Sequence, residues 1–226
     1  GEDSLTLLST GSTSNIAIGR RSGYRITANA TDNVFIGGYE TGGNIASGDS
    51  NVIIGSFAGQ NLNGASHSNV LIGYGAGSGG STNAASQNHA IGYDALGALT
   101  TGGKNIAIGY QSGNNITSGS NNVVIGNADV ASATGNDQLS ISSGDGSPVW
   151  ITGDSAGVVN IPGSLTVAGS AVGGASALNG LTDVISNITN FTDSILISPD
   201  GAAPPHGTLS SASGNTGIGK DVFAVL

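Results

Sequence analysis

The three histidines of this chain are its most versatile chemical groups, because imidazole can transfer protons and bind metal ions. They are His67, His89 and His206. None has a carboxylate or a second histidine beside it at metal-ligand spacing, and the chain contains no cysteine. We therefore expect neither a catalytic triad nor a zinc site. His89 falls where other copies of a repeated unit carry Ile or Val, so we expect a structural role. The alternative is an ion held between copies of His89 around a symmetry axis.

Paired carboxylates could hydrolyse glycans, but the acidic residues of this chain are poorly arranged for that chemistry. Glu2 and Glu40 are its only glutamates. Asp32, Asp49 and Asp137 lie beside Asn, Ser or Gly, where Asp favours turns. No EF-hand spacing and no calcium-binding nonapeptide occurs. The sequence predicts no catalytic residue, no metal site and no cofactor, and hence no enzyme.

All three arginines, Arg20, Arg21 and Arg25, lie in the first repeat. The simplest interpretation is a solvated corner of the chain. Two sharper hypotheses are a salt-bridge clamp between chains and a contact with an acidic glycan.

Three tyrosines follow a recurrent glycine at equivalent positions, namely Tyr74, Tyr93 and Tyr110, and Phe57 lies one residue further along in another copy. If the repeats stack, these rings form a ladder. We expect the ladder to pack between subunits, and the alternative is that it presents rings to sugars.

The composition argues against an ordinary globular domain and against disorder. The 226 residues include 40 glycines, and only 8% are charged, yet 37% are hydrophobic. The net charge of −9 disfavours nucleic acid as a partner, because binding to phosphates requires positive charge. No apolar run reaches the roughly 18 residues that span a bilayer, so we expect no membrane span.

The chain is dominated by a repeat of the form N-x-x-I-G. The Asn and Gly of its seven copies are Asn15 and Gly19, Asn33 and Gly37, Asn51 and Gly55, Asn69 and Gly73, Asn88 and Gly92, Asn105 and Gly109, and Asn122 and Gly126. The closing glycines recur about every 18 residues with only small variations, and such a period is typical of stacked repeats.

Each repeat has the features of one coil of a β-solenoid or β-roll. Ile16 and Ile18 flank Ala17, so they share one face of a strand, which we expect to point inward. The Gly allows a sharp corner, and the Asn suits the turn entering the strand. A second apolar stripe follows and is also expected inside, formed by Ile26, Ile45, Leu62, Leu99 and Ile116. The unit therefore predicts two short strands and two turns, and an all-β fold.

A single stack of such coils buries little apolar surface for the backbone that it must order. We infer that further surface is buried between chains. A homotrimer satisfies this requirement, and a dimer satisfies the same argument.

The rest of the chain divides less regularly. We expect a lead-in strand at 1–14, the repeat array at 15–146, with Leu139 and Ile141 as one more inward pair, and a strand-rich interlude at 147–176. Residues 177–192 fit either a linker or a short coiled coil, since apolar residues there recur at heptad spacing. Residues 193–226 contain another N-x-x-I-G copy at 215–219 and predict the start of a second, truncated array.

At the repeat residues the chain resembles two known groups. The short N-x-[VA]-I-G coil is similar to the head repeats of trimeric autotransporter adhesins, while the longer unit, as in residues 98–113, resembles the repeats of phage tail fibres. The segments 150–154 and 158–167 also resemble interludes of phage fibres. Head repeats of the adhesins are typically shorter than these units, which favours the phage family.

The resemblance implies a trimeric structural fibre of a phage tail or virion appendage, which supports attachment to a glycan or protein receptor on the host cell surface. The alternative is the head of a bacterial trimeric adhesin at the cell surface. A tailspike glycan depolymerase is a more distant possibility.

Overall fold

A computed structural model describes residues 1–45, 47–62, 64–80, 85–163, 165–167, 170–172, 195–197 and 216–218. The chain forms two compact units, at Gly1–Pro162 and Gly163–Leu226. The segment 177–192, for which we predicted a linker or coiled coil, lies outside the described residues.

The first unit contains a ten-stranded sheet whose strands follow one another in chain order. The strands are β1 (Ile16–Ile18), β2 (Val34–Ile36), β3 (Val52–Ile54), β4 (Val70–Ile72), β5 (His89–Ile91), β6 (Ile106–Ile108), β7 (Val123–Ile125), β8 (Leu139–Ser142), β9 (Val149–Gly153) and β10 (Val159–Asn160). Strands β1 to β8 pair in parallel, and β9 and β10 close the sheet as antiparallel strands. The chain winds as an all-β solenoid of about 7 turns, as the repeat predicts.

The strands stack in perfect repeat register, so that equivalent residues of each copy are neighbours. Ile16 pairs with Val34, Val34 with Val52, and Val70 with His89. This register explains why units of slightly different length can share one sheet: the variation in length is absorbed outside the strands.

The strand faces are the reverse of those we predicted. Ile16 and Ile18 are 52% and 57% exposed, and the central residue of each strand from β2 to β7 is buried, as Phe35 and Ile53 are. Leu139 and Ile141 follow the same rule, because Ser140 is the buried residue between them. The reason is the amide residue before each parallel strand, Asn for β1 to β7 and Gln138 for β8: its side chain points inward, and the alternation of a strand then sends the next residue outward.

The second apolar stripe lies inside the coil as predicted, since Ile26, Ile45, Leu62, Leu99 and Ile116 are at most 1% exposed. It does not form a second strand. These residues lie in turns and extended segments that bond to the neighbouring coil through isolated backbone contacts, such as Gly23 N–H to the Thr41 carbonyl at 2.9 Å. Each coil therefore has one strand rather than the two that we predicted.

Residues 1–14 contain turns instead of the expected lead-in strand. They cover the second half of the first coil, where the N–H of Leu5 donates to the Ser22 carbonyl at 3.1 Å and that of Ser9 to the Ile26 carbonyl at 2.9 Å.

The second unit contains two separate strand pairs among its described residues. Strands β11 (Leu165–Val167) and β12 (Ser170–Val172) are antiparallel, whereas β13 (Ile195–Ile197) and β14 (Thr216–Ile218) are parallel. The parallel pair has the arrangement of two neighbouring coils. The assignment of 193–226 as a second array stays a prediction.

Candidate interaction surfaces

The outer face of the parallel sheet carries two continuous columns of mostly aliphatic side chains, which we call the apolar sheet face. Because the strands are in register, each column receives one residue from every coil. The first column is Ile16, Val34, Val52, Val70, His89, Ile106, Val123 and Leu139, and the second is Ile18, Ile36, Ile54, Ile72, Ile91, Ile108, Ile125 and Ile141.

This face is unusually apolar for a surface in contact with water. Ile18 is 57% exposed, Ile108 41% and Ile125 39%. At the strand spacing of about 4.8 Å, the columns extend for roughly 34 Å. A contiguous apolar strip of this kind marks an association surface in soluble proteins.

His89 is the one polar residue in the two columns. It lies between Val70 and Ile106 and is exposed. The expectation that it occupies an Ile or Val position is confirmed. Ion binding by His89 remains a hypothesis.

Behind the apolar sheet face runs an interior ladder of amide side chains, which we call the Asn ladder. The Oδ1 of each Asn accepts two hydrogen bonds from the Asn in the next coil, one from its backbone N–H and one from its Nδ2. Asn51 accepts these two bonds from Asn69 at 3.0 and 2.9 Å. The second Nδ2 hydrogen goes to a carbonyl of its own coil, as from Asn69 to Ala85 at 3.0 Å. The ladder continues from Asn15 to Asn122.

Gln138 ends the Asn ladder. Its Nε2 donates to Asn122 Oδ1 at 3.2 Å, but its longer side chain turns back, so that Oε1 accepts the Ser132 N–H of the preceding coil at 2.9 Å. Sequence reasoning assigned the seven asparagines to turns and missed this ladder. The available signal was their restriction to Asn, because each ladder side chain donates twice and also accepts, whereas an ionised Asp has no donor and Ser has only one.

The corner glycines allow the coils to approach closely. Six of the seven have positive φ, from 97° at Gly126 to 142° at Gly92, and a Cβ on Gly92 would lie 2.0 Å from the Gly109 carbonyl oxygen. Gly37 lacks a positive φ, yet a Cβ there would lie 2.8 Å from the carbonyl carbon of Gly55. The corners therefore need glycine for space as well as for conformation.

The predicted tyrosine ladder is present and longer than expected. Tyr74 stacks on Tyr93 with centroids 5.4 Å apart, and Tyr93 stacks on Tyr110 at 5.1 Å. Phe57 and Tyr39 extend the row, each at 5.4 Å from its neighbour. The three stacked tyrosines are about half exposed, with Tyr110 at 52%. Their faces are turned to one another, which leaves edges and hydroxyl groups for other contacts.

The first end of this row, at Tyr39, is closed by Arg21, whose guanidinium carbon lies 5.6 Å from the Tyr39 ring centroid. Arg21 lies over the ring of Tyr24, with its guanidinium carbon 4.5 Å from the centroid, and pairs with Glu40 at 2.7 Å. Hydrogen bonds with the hydroxyls of Tyr24 and Tyr39 raise the pKa of Arg21 above its ordinary value. The Glu40 carboxylate also accepts a hydrogen bond from Gln60.

The other two arginines are more exposed to water. Arg20 pairs with Glu2 at 3.4 Å, and both side chains are exposed. Arg25 is exposed and has no ion pair with a described residue. The ion pairs of Arg20 and Arg21 are thus within one chain, and an interchain clamp stays a hypothesis.

No carboxylate stands at metal-ligand spacing from His67 in the sequence, yet in the fold its Nδ1 lies 3.5 Å from Asp49 Oδ2. The stacking of coils brings together residues that are one repeat apart in sequence. However, the same Nδ1 accepts the Asp49 backbone N–H at 3.1 Å, and the His67 N–H in turn donates to Ser86 Oγ at 3.0 Å.

This contact belongs to a row in which a side chain of one coil accepts a backbone N–H of the coil before it. Thr31 N–H donates to Asp49 Oδ1 at 2.7 Å, and Ser120 N–H to Asn136 Oδ1 at 2.8 Å. The Asp49, His67 and Ser86 side chains therefore bind the backbone in a shared structural role. Among the described residues, no group of three or more His, Asp and Glu side chains is placed to hold a metal ion.

No family of proteins matches this chain, and no characterised protein or solved structure is detectably similar to it. Over the part of the chain that the structure describes, there is no helix long and apolar enough to cross a membrane.

Proposed function

We propose that this chain is a structural module of a homotrimeric fibre, in which the apolar sheet faces of three copies pack together. The single observation that supports this most directly is the face itself: two columns of mostly aliphatic side chains, exposed or half-buried along eight consecutive strands. Burying them between chains removes that surface from water. Around a threefold axis, the first column of one chain can pack against the second column of the next.

The shape of the module suits a fibre better than a catalyst. One unit repeats with its neighbours in register, bonded by backbone contacts and by the Asn ladder. Such a stack is a rod whose length grows with the number of coils. It can hold other parts of an assembly at a distance.

As the biological setting we propose a tail fibre or other appendage of a phage virion, where the module supports attachment to a host receptor. The support is the length of the units and the phage-like interludes at 150–154 and 158–167. The head of a bacterial trimeric adhesin is the alternative supported by the shorter N-x-[VA]-I-G motif. A receptor, whether glycan or protein, is bound directly or through a distal tip in either setting.

The oligomeric state tests the structural part of the proposal. We expect sedimentation equilibrium to give three times the mass of one chain. Replacing two central residues of the face, Ile72→Glu with Ile108→Glu, should yield monomers, because charges cannot be buried there without partners. A matched control is Thr101→Glu, at an exposed residue in the second half of a coil, which should leave the mass unchanged.

A monomeric wild-type chain, or an Ile72→Glu, Ile108→Glu variant that remains trimeric, would overturn the proposed association. Incubating the chain with bacterial capsule or lipopolysaccharide tests the non-enzymatic role. We expect the glycan chain length to remain unchanged, and shortening of the glycan would favour a depolymerase.

A further inference from the structure

The apolar sheet face is bordered along both of its long edges by side chains that carry polar groups. Beside the first column, two residues before each of its members, runs a line of exposed polar residues, which we call the polar row. Its members are Ser14, Asp32, Ser50, Ser68, Gln87, Lys104, Asn121 and Asp137. Beside the second column, two residues after its members in the coils that contain β4, β5 and β6, stand the three stacked tyrosines, which we call the tyrosine row: Tyr74, Tyr93 and Tyr110.

The backbone of the polar row is in a conformation that suits glycine better than any residue found there. All eight members have φ between 56° and 61°. This left-handed region is open to glycine, whereas a residue with a side chain adopts it at a cost. The chain contains 40 glycines, yet none stands in this row. The row keeps side chains where the backbone would favour their absence, which indicates that these side chains make contacts of their own.

The polar groups of both rows are unused within one chain at the level of β4, β5 and β6. The hydroxyls of the three tyrosines and the side chains of Ser68, Gln87 and Lys104 form no hydrogen bond or ion pair with a described residue. A serine hydroxyl, a glutamine amide and a lysine ammonium can each donate to a phenol oxygen. The two rows cannot meet in one chain, because at about 3.3 Å per residue the strand between them keeps them more than roughly 10 Å apart.

The symmetry of a trimer brings the two rows together between chains. Three copies around a closed threefold axis associate through heterologous contacts, so one edge of each sheet face meets the opposite edge of the next. Equivalent residues of the three copies lie at the same height along that axis. The polar-row and tyrosine-row members of one coil, such as Gln87 and Tyr93, are therefore at the level of each other's counterparts in the next copy.

We propose that the tyrosine row of each chain binds the polar row of the next copy, a contact that rests on the trimer proposed above. The three tyrosine hydroxyls then hydrogen-bond, coil by coil, to the side chains of Ser68, Gln87 and Lys104. These contacts form a polar rim along the apolar core of the interface, which is the usual organisation of protein–protein interfaces, where tyrosine is enriched. The rim excludes water from the two aliphatic columns and holds neighbouring chains at the same height.

Photo-crosslinking from the middle of the tyrosine row tests this contact. Tyr93 is replaced by p-benzoylphenylalanine, which keeps an aromatic side chain and bonds to a neighbouring C–H group under ultraviolet light. We expect covalent species of two and three chains on a denaturing gel, with the new bond mapped by mass spectrometry to residues 86–88 of another chain. The matched control is the same replacement at Thr101, which is exposed in the second half of a coil and should give no bond between chains.

A double-mutant cycle gives a second readout that needs no unnatural residue. Lys104→Ala and Tyr110→Phe lie on opposite edges of one chain, where changes at such a separation should add. A contact with the next copy couples them instead, so the double variant should melt at the temperature of the less stable single variant. The control pair is Lys104→Ala with Tyr74→Phe, two coils away, for which the two shifts in melting temperature should add.

Sedimentation of each variant separates failure of the contact from failure of the trimer. A trimer whose cross-links map away from residues 86–88, or in which Lys104→Ala and Tyr110→Phe add, would overturn the contact between the rows and leave the trimer intact. A dimer with the expected cross-link would overturn the trimer but not the contact, and a monomeric wild-type chain would overturn both. If the cross-linking variant does not assemble, the melting temperatures of the double-mutant cycle decide.

Discussion

Asn51 binds the same oxygen of Asn33 twice, through its backbone N–H and through its Nδ2, and both distances are 2.9 Å. Its remaining Nδ2 hydrogen reaches the Ser66 carbonyl at 2.8 Å. Both asparagines are fully buried. Each therefore fixes the height of the next coil and the entrance of its strand, with every polar atom of the side chain in use.

Removing one member of the Asn ladder should be among the most damaging single changes. Asn69→Ala leaves Asn51 Oδ1 without its side-chain donor, removes the acceptor of the Asn88 N–H at 2.9 Å, and leaves the Ala85 carbonyl without a partner. Each buried unsatisfied group costs about 1–3 kcal/mol. We expect a loss of at least about 3 kcal/mol in the free energy of unfolding in urea.

Asn61→Ala is the control for this change. Asn61 is only half-buried and its Nδ2 makes one bond, to the Ser78 carbonyl at 2.9 Å. The loss should be about 0.5–1.5 kcal/mol, the net value of a single hydrogen bond. Equal losses in the two variants would show that the ladder contributes nothing beyond its separate bonds.

The period of the repeat was sufficient to predict the solenoid, its parallel stacking and the buried second stripe, because these follow from the positions of Gly, Ile and Leu alone. The direction of the strands' side chains was not predictable from alternation. A face formed by Ile16 and Ile18 and a face formed by Ala17 both satisfy a period of two. The inward side chain of Asn15 decides between them, and it does so through bonds to the next coil, which no single repeat contains.

The contacts between coils explain the other differences. His67 and Asp49 belong to successive repeats and become neighbours only through stacking. The aromatic row gained Tyr39 because its ring lies beside Phe57 despite a shift of one residue relative to the tyrosines that follow. Motif reasoning within one unit finds the elements, but the side-chain partners come from the unit above or below.

A methyl group at a corner should disrupt the stack. In Gly92→Ala the new Cβ would meet the Gly109 carbonyl oxygen at 2.0 Å, at a φ of 142° that side chains rarely adopt. Strain of this kind costs on the order of 1–3 kcal/mol before any clash is relieved. We expect a clearly lower melting temperature by circular dichroism.

Gly144→Ala provides the comparison, since nothing lies within 4 Å of a Cβ at that position and its φ is not positive. Its melting temperature should equal that of the wild type or exceed it slightly, because Ala restricts the unfolded chain. A melting temperature for Gly92→Ala as high as that for Gly144→Ala would refute the close approach of the corners.

The turn between β8 and β9 should stabilise the chain in a pH-dependent way. Two hydrogen bonds lower the pKa of Asp145 below its ordinary value of 3.8. The larger effect comes from the Ser143 hydroxyl and the smaller from the Ser147 N–H. A carboxyl group whose pKa is lower in the folded state stabilises that state at pH values above its ordinary pKa. This contribution disappears as the pH falls through the pKa of the folded state. Asp145→Asn should therefore melt below the wild type near neutral pH, with the difference vanishing in acid. A difference that is constant with pH would contradict this origin.

At two facing positions in the core of a coil, the large and the small residue change places in one copy of the repeat. Where the strand centre is large, the facing position is glycine: a Cβ on Gly59 or Gly77 would lie 2.8 Å from a δ-carbon of Ile53 or Leu71. In the fifth coil the order is reversed. There the strand centre is Ala90, and the facing residue is Leu96, which is fully buried with a positive φ of 54°.

The exchange predicts that the two positions are energetically coupled. Leu96→Gly alone should open a cavity and cost about 2–5 kcal/mol, and Ala90→Leu alone should clash with Leu96. Together they recreate the pattern of the coil before, so the double variant should be more stable than the sum of the single changes predicts by about 1 kcal/mol or more. Urea unfolding of the four chains gives this coupling energy. Simple additivity would mean that the two residues fill separate spaces and that the reversed order is accidental.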